Sequence, residues 1–177
     1  DWSKLEGSLQ AIPRELGERP RAILAVSGHW ETDEFTVQTH PNPPMYYDYG
    51  GFPEFTYHIQ YPAPGAPDVA ERVGQLLDDA DITVRYDGER GFDHGVFAPF
   101  YVSYPDADVP ILQLSIKHSY DPADHLAAGR ALAPLRDEGV LIVGSGFTYH
   151  NLRVFGPSGA QPSREFGDWL HTTLVEA

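Results

Sequence analysis

The chain has 177 residues, 41% of them hydrophobic and 12% aromatic, which places it among folded domains of ordinary size rather than disordered tails. Its net charge of −14, from 26 acidic and 12 basic residues, has the wrong sign for a nucleic-acid partner. It contains no cysteine, so disulfides and thiolate metal sites are excluded, and any metal must be held by His, Asp, Glu or water.

Residues 2–16 read as a helix, with Pro13 a weak point in it. The unbroken apolar run at 22–27 predicts a strand buried on both faces, and Phe35 to Thr39 a second strand. Between them and the next element lies HPNPPMYYDYGGFP, where prolines 41, 43, 44 and 53 rule out regular structure. Phe55 to Tyr61 alternates as a strand would. The stretch PGAPDVAERVGQLLDDA predicts a helix, with Pro67 and Asp68 suited to its first turn and Val69, Val73, Leu76 and Leu77 on one face. Ile82 to Tyr86 reads as a short strand, and His94 to Ser103 as a helix bent near Pro99. Pro110 to Ile116 is a strand, Asp121 to Arg136 a helix, and Gly139 to Gly144 another apolar strand. A Gly-rich loop over 145–162 precedes a last helix from Ser163 to Val175. The alternation predicts an α/β fold: one domain over 1–177, with a largely parallel or mixed central sheet flanked by helices. No apolar run nears the ~20 residues of a membrane-spanning helix and no signal-peptide pattern opens the chain. The expectation is therefore a cytoplasmic protein without a membrane partner.

Three histidines occupy equivalent places. His29 follows ILAVS, His94 lies in GFDHG after ITVRY, and His150 lies in GSGFTYHN after GVLIVG. In open α/β sheets ligands bind beyond the carboxyl ends of strands, and glycine beside each histidine lets backbone approach a ligand. A single such histidine is more often a packed core residue. Three of them favour a shared site, and without thiols such a site suits Fe(II), Zn or another divalent transition metal. Asp93 is a candidate to orient the His94 ring, and Asn151 a candidate to hydrogen-bond a metal ligand or to cap a helix. His40 and His58 lack neighbouring glycines, His118 is the strongest of the doubtful cases, His125 suits a packed, hydrogen-bonded role, and His171 reads as surface. Ser145, in GSG, does not fit G-x-S-x-G and is a poor nucleophile candidate. The aromatic loop MYYDYGGFPEF either covers the core or walls an aromatic pocket.

Taken in order, SGHWET, YYDYGGFPEF, YPAPGAP, GFDHGVFAPF, PILQLSI and GSGFTYHNLR resemble the class III extradiol ring-cleavage dioxygenases. The likeness is greatest to the DOPA 4,5-dioxygenase-type branch of the LigB-like superfamily and runs through essentially the whole chain. The resemblance implies a non-haem Fe(II) enzyme that opens a catechol ring beside its two hydroxyls with O2, with Zn the alternative metal. By its motifs His29 corresponds to a metal ligand, and His150 to a group at the metal acting as ligand or catalytic base. His94 corresponds to a residue lining the substrate pocket and active in acid/base steps. Tyr47, Phe52 and Asn151 join His94 as expected substrate-binding residues, and Arg153 is the obvious cation for a substrate carboxylate. The resemblance also implies an S-H-G-type segment before the first helix and a further His or Glu ligand after the last, neither present in these 177 residues, so the expectation is a catalytic domain lacking both segments. A zinc hydrolase using the same histidines and a non-catalytic binding or signalling relative are the rival readings. The expected partners are a small catechol and O2, with a homo-oligomer left open.

Overall fold

The structure is a computed structural model that describes residues 2–154 and 156–175. Two compact units account for the chain, Asp1–Ser145 and Gly146–Ala177, and each is described by itself.

In the first unit, α1 (Ser3–Leu16) leads to the long strand β1 (Ala22–Thr32), and β2 (Phe35–Gln38) follows after a short turn. After the proline-rich loop come α2 (Pro67–Asp78), β3 (Val84–Asp87), α3 (His94–Ser103) and β4 (Ile111–Lys117). Helices α4 (Pro122–Ala131) and α5 (Pro134–Asp137) precede β5 (Val140–Ser145). The five strands form one sheet in the order β3-β2-β4-β1-β5. β1 is parallel to both β4 and β5, whereas β2 is antiparallel to β4 and parallel to β3, so the sheet is mixed.

Alternation along β1 and β4 divides the core between the two faces of the sheet. Leu24 and Leu112 join Val69, Val73 and Leu77 of α2 and Leu135 of α5 on one side. Ile23, Ala25 and Ile111 join Val96, Phe97 and Phe100 of α3 on the other. Both layers are needed because β1 is apolar on both faces, and Ala22 to Ala25 are fully buried. The predicted face of α2 is the buried one, with Val69, Ala70, Val73, Leu76 and Leu77 all inside.

Three local readings change. Phe55 to Tyr61 is not a strand: Glu54–His58 is a 3-10 helix with Phe55 68% exposed. The helix expected over Asp121 to Arg136 is two helices. Asp121 caps the first by accepting from the Ala123 N–H, and Pro134, which has no N–H to continue the ladder, starts the second. β1 also runs past Ser27 to Thr32, so His29 belongs to the strand rather than following it. In the second unit, the Gly-rich stretch contains 3-10 turns at Leu152–Val154 and Pro157–Gly159, followed by α6 (Ala160–Val175). Among the described residues no helix is long and apolar enough to cross a membrane.

Candidate functional site

His29 sits where the β1 ladder is interrupted. β1 pairs with β4 up to Val26↔Leu114 and resumes at Glu31↔Ile116, with a register shift between. Such irregularities re-aim side chains at sheet edges and active sites. Ser27 and Trp30 are buried while Gly28 and His29 face outward. The His29 N–H donates to Ser27 Oγ at 3.1 Å, and Ser27 Oγ donates to Asp93 Oδ1 at 2.6 Å.

Asp93 is fully buried and caps α3, accepting from the Gly95 N–H at 2.9 Å. Its other oxygen accepts from Arg90 Nη2 at 2.8 Å. The Arg90 guanidinium lies over the rings of Trp30 (5.1 Å) and Tyr46 (4.6 Å), as a cation over π faces. Two buried glutamines hold the segment that leads into this cap: Gln38 Nε2 donates to Arg90 O at 2.6 Å, and Gln113 Nε2 donates to Gly91 O at 2.9 Å. Ser27, Asp93 and Arg90 thus join the middle of β1 to the start of α3, where His94 is the first helical residue. Asp93 does not orient the His94 ring, because its oxygens are engaged with Ser27, Gly95 and Arg90.

The ring is oriented by Asp48, which comes from the aromatic loop. Asp48 Oδ1 accepts from both the backbone N–H of His94 (2.9 Å) and its Nδ1 (2.8 Å), while Asp48 Oδ2 lies 3.5 Å from His29 Nδ1. The two imidazoles are 4.0 Å apart between centroids. Burial pushes the Asp48 carboxyl upward, but the hydrogen bonds from the His94 backbone and ring, with the His94 charge, outweigh it and hold the group below its usual range. Gly95 makes this approach feasible: a Cβ there would lie 2.3 Å from Ser27 Oγ, 3.0 Å from Asp93 Oδ1 and 3.3 Å from His29 Cδ2.

His29, Asp48 and His94 each offer a ligand atom, and these atoms lie within 4.8 Å of one another. Two imidazoles and a carboxylate form a donor set suited to Fe(II) or Zn, and the residues fit a divalent transition metal. The strand–glycine–histidine pattern that marks His29, His94 and His150 does not extend to Asp48. Its one signal is that it is the sole charged residue between positions 41 and 53, within an otherwise aromatic and Pro/Gly-rich loop.

That loop packs as well as lines. Tyr49 meets the His94 ring edge-on at 5.6 Å, and Tyr47, Tyr49 and Phe97 pack at about 6 Å from one another. The Tyr47 hydroxyl donates to Ile59 O at 2.7 Å and the Tyr49 hydroxyl to Thr56 O at 2.7 Å, so both phenols fasten the loop to the segment behind it. Phe52 is 60% exposed, with its ring 5.4 Å from that of Tyr49.

His150 and Asn151 belong to the second unit. His150 stacks on Phe147 at 6.0 Å with an 8° interplanar angle, and a cleft of about 560 Å³ is lined by Tyr149, His150, Asn151, Arg153 and Phe166 among others. Asn151 Oδ1 accepts from the Arg153 N–H at 3.1 Å, a cap on the short turn that follows. Ser145, at the end of β5, donates to Gly95 O. The remaining histidines have local partners. His125 Nδ1 donates to Asp121 O at 2.7 Å while its Nε2 accepts from the Lys117 N–H at 3.1 Å, the packed role expected for it. His118 lies 3.2 Å from Glu31, which also accepts from the Tyr120 hydroxyl. His58 pairs with Glu54, and His40 Nδ1 accepts from the Asn42 N–H.

The chain matches the family described as the catalytic LigB subunit of aromatic ring-opening dioxygenase over residues 2–177. It is 45% identical to a 4,5-DOPA dioxygenase extradiol of Escherichia coli (strain K12) over 179 residues, 98% of this chain and 62% of that protein. It is 42% identical to a 4,5-DOPA dioxygenase extradiol of Beta vulgaris over 164 residues, 90% of this chain and 61% of that protein. A crystal structure of an uncharacterized protein from Escherichia coli K12 superposes with a TM-score of 0.69 at 43% identity, covering 84% of this chain and 55% of that one. The chain therefore spans about three fifths of the length of these curated relatives. It belongs to the LigB family of aromatic ring-opening dioxygenase catalytic subunits.

Proposed function

We propose that the protein carrying this chain is an extradiol dioxygenase that cleaves a catechol-type ring with O2 at a non-haem Fe(II) site. The observation that supports it most is the meeting of His29, Asp48 and His94 where the β1 ladder is interrupted, in a chain of this family. Bound iron would supply Lewis acidity toward the catechol hydroxyls and a redox centre for O2. His29 is the proposed ligand from the first unit, and His150, which follows β5, the proposed ligand or base from the second. His94 is the proposed acid/base group within reach of the substrate, since a neutral imidazole can take a catechol proton near neutral pH and return it later. Tyr47 and Phe52 are proposed to offer ring faces to an aromatic substrate. The Tyr47 hydroxyl is already engaged with Ile59, so its contribution is packing. Asn151 is the proposed polar contact beside His150.

A DOPA-like catechol is the first substrate to try, given the names of the relatives. The test is aerobic incubation of the intact, iron-loaded protein with DOPA and with protocatechuate, following O2 uptake and the yellow ring-opened product. Stoichiometric O2 consumption with colour formation is expected. Ester or amide hydrolysis by the zinc-loaded protein without O2 uptake would replace the proposal with the hydrolase reading, and failure to bind metal would favour a non-catalytic relative.

A further inference from the structure

We infer that Asp48 is a positioning residue of this centre, which fixes the Nδ1–H tautomer of His94 and faces Nδ1 of His29, so that each imidazole offers Nε2 to metal or substrate. The inference deepens the proposed function by assigning roles to individual ring nitrogens. It rests on that reading only for what Nε2 then does.

The geometry carries the assignment. A neutral imidazole has one N–H and one lone pair, and an ionised carboxylate can only accept. With Asp48 Oδ1 2.8 Å from His94 Nδ1, the proton must sit on Nδ1 and the lone pair on Nε2. The same oxygen accepts the His94 backbone N–H at 2.9 Å, so ring and backbone of one residue are clamped at two points. That backbone N–H opens α3, where the helix dipole further favours a carboxylate. The Asp48 side chain is only 10% exposed, while the His29 and His94 side chains remain 37% and 35% exposed, so the carboxylate lies behind two accessible rings. The His29 backbone N–H donates to the Ser27 hydroxyl, and the absence of a Cβ at Gly95 leaves room for the His29 ring. Direct ligation by Asp48 Oδ1 would give up one of the two hydrogen bonds that this oxygen accepts from His94. Orientation of the ring requires no change in the arrangement observed. A carboxylate on the far nitrogen also raises the basicity of Nε2, as outer-sphere carboxylates do for ligating histidines.

The test is long-range 1H–15N correlation NMR on the intact, uniformly 15N-labelled protein, first metal-free. His94 of the wild type should show a protonated, pyrrole-type Nδ1 and a pyridine-type Nε2. In Asp48→Ala, with amide fingerprint and circular dichroism unchanged, His94 should shift to the Nε2–H tautomer that free imidazole side chains prefer. An Nε2–H tautomer in the wild type, or an Nδ1–H tautomer that survives in the variant, overturns the inference, and the wild-type spectrum decides even if the variant does not fold. Addition of Zn2+ alone should then perturb Nε2 of His29 while the His94 Nδ1–H persists, and Asp48→Ala should weaken Zn2+ binding by about 10–100-fold. Coordination at Nδ1, or unchanged Zn2+ affinity in the variant, would also overturn it. Because the metal-free spectrum makes no use of turnover, an inactive protein with the expected tautomer would count against the dioxygenase reading alone.

Discussion

Asp93 offers the sharpest test of how the site is held together. The side chain is completely buried and accepts three hydrogen bonds, from Ser27 Oγ, Arg90 Nη2 and the Gly95 N–H. Asp93→Ala removes all three and leaves the Arg90 guanidinium, with a side chain only 13% exposed, without its counter-charge. Breaking one side of a buried ion pair costs about 3–5 kcal/mol, and loss of a helix cap about 1 kcal/mol. These terms share one carboxylate and do not add fully, so about 4 kcal/mol is expected. In a domain of this size that corresponds to a fall in Tm of roughly 8–16 °C. Asp93→Asn keeps the shape and can still cap the helix, and should lose about half as much. Urea unfolding of the intact proteins measures both. Ser27→Ala belongs in the same experiment, because the Ser27 hydroxyl links Asp93 to the His29 N–H. The double variant should show a coupling of about 0.5–3 kcal/mol with Asp93→Ala. A loss below about 1 kcal/mol for Asp93→Ala, or strict additivity with Ser27→Ala, would refute the idea that this network joins β1 to α3.

Gly95→Ala must push Ser27 Oγ and the His29 ring aside, and should cost about 1–3 kcal/mol with displaced His29 ring signals in NMR; a neutral change would show that the floor of the site is loose. Glu138 is held below the ordinary carboxylate range by the hydrogen bonds from Arg72, so its contribution is present above the unfolded value and lost as pH falls through the folded one. The stability difference between wild type and Glu138→Gln should therefore shrink as pH drops below about 4, and a pH-independent difference would refute it. His29→Ala should lose stoichiometric metal, measured by elemental analysis after loading, and full retention would remove His29 from the ligand set. His150→Ala should cut ring cleavage by orders of magnitude with the fold intact, and near-normal turnover would remove His150 from the mechanism.

The parts of the fold legible in the sequence are those where burial alone dictates residue type. Ala22 to Val26 reads as a two-faced strand because both faces are covered, and α2 reads as a helix because Val69, Val73, Leu76 and Leu77 must point one way. The segment from Phe55 to Tyr61 alternates for another reason. Phe55 faces solvent, and the backbone is held by the Tyr47 and Tyr49 hydroxyls at Ile59 O and Thr56 O, not by a neighbouring strand. Seven alternating residues are too few for periodicity alone to separate a strand from a short 3-10 turn fastened by its neighbours.

The site shows the same division more sharply. His29 and His94 are visible because each comes after an apolar run and has glycine beside it, a pattern that recurs along the chain. Their orienting carboxylate is not visible, since Asp48 and His94 lie 46 positions apart and meet only once the sheet has formed. The nearer carboxylate was the obvious candidate, and physical chemistry explains why it is the wrong one. A residue at the N-cap turns its side chain back toward the free N–H groups of the first helical turn, as Asp93 does toward Gly95. Its oxygens are then spent on the helix and on whatever cation neutralises it, here Arg90. With the Asp93 oxygens so engaged, the His94 ring finds its partner on another segment. For His94 that segment is the aromatic loop, where one Asp48 oxygen meets His94 Nδ1 and the other lies 3.5 Å from His29 Nδ1.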